Sequence, residues 1–161
     1  GVILLTISSK ISIPFYPVPM TLQTLVVFFI AASMGMIGFY STLIYVVLGL
    51  LGLPLFANGG GIGYIFSPTF GFLYGMVISA FIIAYILKSE VKTGLIKLSA
   101  TILAGAFVIF LCGISHLSFF VGLEQAINLG LLPFLYSEFL KIVLAIAIIF
   151  GLIQRVNQKN S

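Results

Sequence analysis

Residues 11–87 read ISIPFYPVPMTLQTLVVFFIAASMGMIGFYSTLIYVVLGLLGLPLFANGGGIGYIFSPTFGFLYGMVISAFIIAYIL, 77 positions between Lys10 and Lys88 without a single charged side chain. A helix crosses the hydrocarbon core of a bilayer in roughly 20 apolar residues, so this stretch holds about three crossings. Lipid offers backbone groups no hydrogen bonds, so membrane spans are helices or closed barrels. The apolar runs are continuous and strict apolar/polar alternation is absent, which selects helices. Working outward, residues 98–123 are uncharged apart from His116, and residues 132–153 form another apolar run, broken at Glu138 and Lys141.

Composition agrees. The 161 residues include 7 Lys+Arg and 3 Asp+Glu, 61% are hydrophobic, and the mean hydropathy is +1.32. A soluble domain of this length would carry roughly 40 charged side chains, and ten cannot cover a water-facing surface. A soluble globular enzyme, a disordered segment, a nucleic-acid binder and a disulfide-stapled secreted domain are excluded on this ground. The expectation is an all-α polytopic membrane protein, one domain over 1–161.

Proline and glycine divide the apolar stretch. Pro14, Pro17 and Pro19 make residues 14–20 an extended link, because proline lacks a donor and restricts its predecessor. Helices are expected over about 21–36 and 39–53, with a tight turn at Gly35 and Gly38 and a stop at Pro54. Residues 58–63 (Asn-Gly-Gly-Gly-Ile-Gly) read as a flexible loop permitting positive φ and close backbone approach. Further helices are expected over about 68–87, 95–114 and 133–153. Residues 1–9 are apolar but about half a span long, and read as the end of a first helix whose start is absent. The sum is six transmembrane helices, the first incomplete.

Basic residues in short loops mark the cytoplasmic side. Lys88, Lys92 and Lys97 lie two crossings from Arg155 and Lys159, so both groups share that side, along with Glu90. The proline link, the glycine loop and the segment around Glu124 then face outward, and Lys10 is the one basic residue against the pattern. Glu138 and Lys141 remain, inside the last helix. Three residues apart, they share a face. Ionisable groups at membrane depth are costly and usually face a cavity or a partner. They either pin helix packing as a structural ion pair or line an outward-facing ligand pocket. Asn58 and Gln23 fall on the same side, and Tyr16, Tyr64, Phe66 and Phe70 offer apolar walls. An acceptor, a cation and two amides suit a small, partly apolar ligand with a compact polar head.

Other constellations are weaker. The glycine run lacks the Gly-Lys-Ser/Thr of a phosphate loop, so ATP chemistry would belong to another subunit. Cys112 and His116 are spaced as a nucleophile and base would be, yet have no third member, and a lone Cys in an apolar helix is usually a small core residue. One His and one Cys do not make a metal site. Gly71/Gly75 and Gly49/Gly52 suit close helix packing.

Four segments together carry a resemblance: Pro17-Val-Pro-Met-Thr-Leu-Gln-Thr24, Leu50-Leu-Gly-Leu-Pro-Leu-Phe-Ala-Asn-Gly-Gly-Gly61, Ser67-Pro-Thr-Phe-Gly-Phe72, and Pro133 through Lys141. From about Ile11 onward the chain resembles the BioY family, the biotin-binding S components of energy-coupling-factor (ECF) transporters. The resemblance implies six transmembrane helices, an outward biotin site, no enzymatic activity and no cofactor. It also implies partners, a transmembrane coupling subunit and two cytoplasmic ATPases, in a prokaryotic plasma membrane. Position by position it puts Asn58, Glu138 and Lys141 around the ureido head, Gln23 and loop amides at the valerate carboxylate, and Tyr64 against the thiophane ring. The chain departs from the family pattern in three places. Glu138 replaces the usual Asp, Phe70 interrupts a Gly-Pro-Thr-Gly-Gly stretch, and the Ala-x-x-x-Ala docking motif of helix one is not visible in residues 1–9. The competing readings are a solitary secondary transporter or channel for another small vitamin-like solute, and an intramembrane enzyme using Cys112 and His116.

Overall fold

The computed structural model describes residues 1–88 and 93–159; Glu90 and Lys92 lie outside the described residues, as does the Lys159 side chain. Seven α-helices occur among the described residues. They are α1 (Val2–Lys10), α2 (Gln23–Met34), α3 (Met36–Leu50), α4 (Phe70–Leu87), α5 (Leu95–Val121), α6 (Leu123–Gly130) and α7 (Leu132–Lys159). A two-stranded antiparallel hairpin, β1 (Ser12–Ile13) with β2 (Met20–Thr21), follows α1, and a short 3-10 helix, Ile62–Phe66, precedes α4.

Successive long helices reverse direction. One end of the bundle therefore gathers the C-termini of α1, α3 and α5, the N-termini of α2, α4 and α7, the hairpin, the glycine loop and α6. The other end gathers the α2–α3 turn and Lys88. Helix α4 sits centrally, in contact with α2, α3 and α5. The turn between α2 and α3 is made by Gly35 alone, at φ 58 and ψ −131, a conformation that a side chain would resist. It lets α3 fold straight back on α2, so closely that a Cβ on Gly38 would lie 2.1 Å from the Ile30 carbonyl oxygen.

Among the described residues, three helices are long and apolar enough to cross a membrane: Phe70–Leu87, Leu95–Val121 and the Leu132–Val156 part of α7. With 12 and 15 residues, α2 and α3 reach only about 18 and 22 Å, short of a core roughly 30 Å thick. The surface matches a lipid solvent. On α3, Ile37, Tyr40, Ile44 and Val47 make an exposed apolar stripe at helical spacing, and on α7 Leu135, Phe139, Val143 and Leu144 do the same. Water-soluble monomers rarely show apolar patches of this extent.

Several expected boundaries shift. Helix α5 continues past residue 114 to Val121, because nothing in Ser115-His-Leu-Ser-Phe-Phe-Val121 stops a helix before Gly122 (φ 80) caps it. Around Glu124 there is a further helix, α6, which buries Ala126 and Gly130 against α5. The proline link is a hairpin, with a cis Tyr16–Pro17 bond. Nor is the glycine loop slack. Phe56 and Gly59 exchange backbone hydrogen bonds of 2.8 and 3.2 Å, and Gly61 N–H donates to the Gly49 carbonyl at 2.7 Å. Positive φ at Gly59 and Gly61, and a Gly60 site where a Cβ would meet the Leu53 carbonyl oxygen at 2.1 Å, explain the glycines.

Candidate ligand-binding site

At the gathered end lies a cavity, partly open to the outside, with about 550 Å³ of empty space when its open mouth is included. The hairpin contributes Val18 and Pro19, α2 Gln23 and Thr24, the loop Phe56, Ala57 and Tyr64, α4 Thr69, Phe72 and Met76, α5 Ile109 and Phe110, and α7 Phe134, Glu138 and Lys141. Apolar walls thus enclose one polar corner.

That corner is tightly wired. Glu138 and Lys141 are 4% and 6% exposed and form an ion pair through Glu138 Oε1. Thr24 Oγ1 donates to the same oxygen at 2.8 Å and accepts from Lys141 Nζ at 3.2 Å. Lys141 also donates to the Thr21 carbonyl at 2.9 Å. The pair lies at i and i+3 on α7, while Thr21 ends β2 and Thr24 lies in the first turn of α2. Glu138 Oε2 is buried and has no hydrogen-bond partner among the described residues. An unpaired buried acceptor costs on the order of 1–3 kcal/mol, and more when charged, so a ligand N–H placed there would be rewarded.

Gln23 is buried beside this corner but largely committed to the protein. Its Nε2 donates to Tyr45 Oη at 2.7 Å, its Oε1 accepts from Thr21 at 3.0 Å, and Tyr45 in turn donates to the Leu55 carbonyl at 3.0 Å. One amide hydrogen remains for other use. Tyr64 lines the cavity and packs on Phe56 at 4.6 Å between ring centroids, and Phe56 packs edge-on to Tyr45 at 5.6 Å. Phe56 reaches that place because Gly49 carries no side chain: a Cβ there would lie 2.2 Å from the ring.

Of the five expected site residues, Gln23, Tyr64, Glu138 and Lys141 are brought together around the cavity. Asn58 is exposed and is not among the lining residues. It occupies the tip of the Phe56–Gly59 turn, next to Ala57, which does line the wall. The aromatic walls also differ from expectation. Tyr16 and Phe66 are 90% and 80% exposed. Phe70 packs edge-on against Tyr74 and His116. Helical phase is the reason: at about 100° per residue, Thr69, Phe72, Leu73 and Met76 share the cavity face of α4, whereas Phe70 and Tyr74 turn toward α5. The walls Phe56, Phe72, Phe110 and Phe134, and the hydroxyl of Thr24, have no signal that separates them from ordinary core residues in an apolar sequence.

Lys10, the misplaced cation, has a local role. It ends α1 and donates to the Phe56 carbonyl at 2.6 Å, tying the loop down. Ser9 assists through the Leu55 carbonyl at 2.7 Å. Cys112 and His116 pack against the α4 glycines: a Cβ on Gly71 would meet His116 Cβ at 2.4 Å, and one on Gly75 would meet Cys112 Cβ at 3.0 Å. His116 Nε2 lies 3.1 Å from the Ser67 carbonyl, and no group of three or more metal-ligating side chains occurs among the described residues. These contacts make the pair part of the α4–α5 seam.

Known proteins match this architecture. A biotin transporter BioY of Thermotoga maritima is 38% identical over 145 residues, covering 88% of this chain and 85% of that protein. A probable biotin transporter BioY of Pyrococcus horikoshii is 38% identical over 149 residues, covering 91% and 88%. The crystal structure of the S-component for biotin from an ECF-type ABC transporter superposes with a TM-score of 0.82 at 23% identity, covering 94% of this chain and 85% of that one, which shows a shared fold. The BioY family model matches residues 1–158, and the chain belongs to the BioY family.

Proposed function

We propose that this protein is the substrate-capturing subunit of a biotin uptake system in a prokaryotic plasma membrane. It takes biotin from the outer side and delivers it to the cytoplasm with an ECF module made of a transmembrane coupling subunit and two ATPases. Membership of the BioY family supports the ligand and the class, and the names of its relatives favour biotin over another solute. The single observation that carries the chemistry is Glu138 Oε2, a buried acceptor without a partner at the polar corner of an otherwise apolar cavity. Biotin has the complementary form: a ureido head with two N–H donors and one carbonyl acceptor, joined to an apolar ring and chain.

In this reading the ureido N–H is received by Glu138, the ring lies on Tyr64 and Phe56, and the carboxylate tail meets the spare hydrogen of Gln23 and loop amides. Asn58 joins by re-aiming the short turn that carries it. Helices α1 to α5 and α7 are the six membrane passes, with α2 and α3 at the thin end of the range. Lys88, Lys97 and Arg155 mark the cytoplasmic end, and the hairpin and glycine loop gate the outer one. The subunit works as a binder, not an enzyme, and ATP is consumed by its partners. Titration of the detergent-solubilised protein with biotin, using thiamine and riboflavin as controls, tests this. Tight, selective biotin binding is expected, and equal or absent response to the three would overturn it.

A further inference from the structure

The two oxygens of Glu138 are not equivalent. Lys141 Nζ carries three hydrogens, and three acceptors surround it: the Thr21 carbonyl at 2.9 Å, Thr24 Oγ1 at 3.2 Å and Glu138 Oε1. All its donors are therefore engaged within the protein. Thr24 accepts one of them and sends its own hydrogen to Glu138 Oε1 at 2.8 Å. Oε1 thus receives two donors, while Oε2, itself buried, receives none from the described residues. The terminal torsion of a glutamate is broad and roughly two-fold, so an ion pair alone would let either oxygen turn to the lysine. The Thr24 hydroxyl is the second fastening, placed on a different helix from the pair it holds.

We propose that Thr24 is a specificity-determining positioning residue: by holding Glu138 Oε1 jointly with Lys141, it reserves Oε2 as the acceptor for an N–H of the ligand head group. Lys141 then serves by fastening and neutralising the carboxylate, and the discrimination lies in the oxygen left over. This inference rests on the biotin reading given above.

The test compares the full protein in detergent with its Thr24→Val and Thr24→Ser variants. Each is titrated with biotin and with the two analogues in which one or the other ureido N–H is replaced by a ring oxygen. Thermal unfolding without ligand is recorded in parallel. A hydrogen bond to a charged group corresponds to roughly tenfold to a hundredfold in affinity. Wild-type protein is expected to prefer biotin over at least one analogue by about that factor. Thr24→Val should weaken biotin about tenfold or more and bring the biotin-to-analogue ratio toward one, and Thr24→Ser should restore both. If Thr24→Val does not fold, Thr24→Ala is carried through the same titrations. A variant that weakens biotin and both analogues by one common factor would overturn the proposal, because a purely structural role acts on all three alike. Unchanged biotin binding in Thr24→Val would overturn it too. Failure of wild-type protein to bind biotin would sink the biotin reading itself, and this proposal with it, and the first titration separates that case from the others.

Discussion

At the residue scale, the decisive feature is a buried acid–base pair that lipid should exclude. Glu138 and Lys141 stand out in sequence because a charge at membrane depth is anomalous. Thr24 does not, because one more threonine at a helix start is ordinary; only the packing of α2 on α7 reveals it. Removing one member of a buried pair strands the other, at a cost of roughly 3–5 kcal/mol. Glu138→Ala and Lys141→Ala are accordingly expected to abolish biotin binding and to lower the melting temperature. The double variant Glu138→Leu/Lys141→Met should regain much of the stability but none of the binding, as titration and thermal unfolding would show. Cys112→Ala, in the α4–α5 seam, should leave binding intact. Retained binding in either single charge variant would argue that the pair is structural alone.

At the scale of elements, the same chemical change should have opposite signs at two glycines. Gly38 is buried where α3 crosses α2, and an added methyl would strike the Ile30 backbone at 2.1 Å, which cannot rotate away. Gly38→Ala should destabilise by about 1–3 kcal/mol, as overpacking does. Gly151, in the interior of α7, has nothing within 4 Å of an added Cβ. Gly151→Ala should be neutral or stabilise by up to about 1 kcal/mol, because glycine is a poor helix former. Thermal unfolding of both variants in detergent checks the pair of signs. Helix cores were legible from apolar run length and proline. Ends were not: α5 outran its expected stop by seven residues, to Val121, since a helix ends where capping and packing end it. The expected Gly35 turn is present because its backbone conformation strongly favours glycine.

At the scale of the whole molecule, a ligand that binds only the folded state stabilises it by mass action. Biotin at about a hundredfold excess over its dissociation constant should add about 2.7 kcal/mol, read as a rise in melting temperature that thiamine does not produce. The absence of any biotin-specific rise would count against the proposed ligand. What the sequence determined by itself is the solvent and the architecture class: ten charges in 161 residues point to lipid as the medium, and continuous apolar runs in lipid select helices over a barrel. It also marked Glu138 and Lys141, because a local property, charge, is enough to betray them. Tertiary structure alone decided which residues meet them. It put Thr24, Phe56 and Phe72 at the cavity and kept Asn58, Tyr16 and Phe66 outside it. The rotational phase of each helix and the folding of each loop set those choices. Both depend on contacts between distant segments, and in an apolar chain the residues on the two sides of a helix look alike.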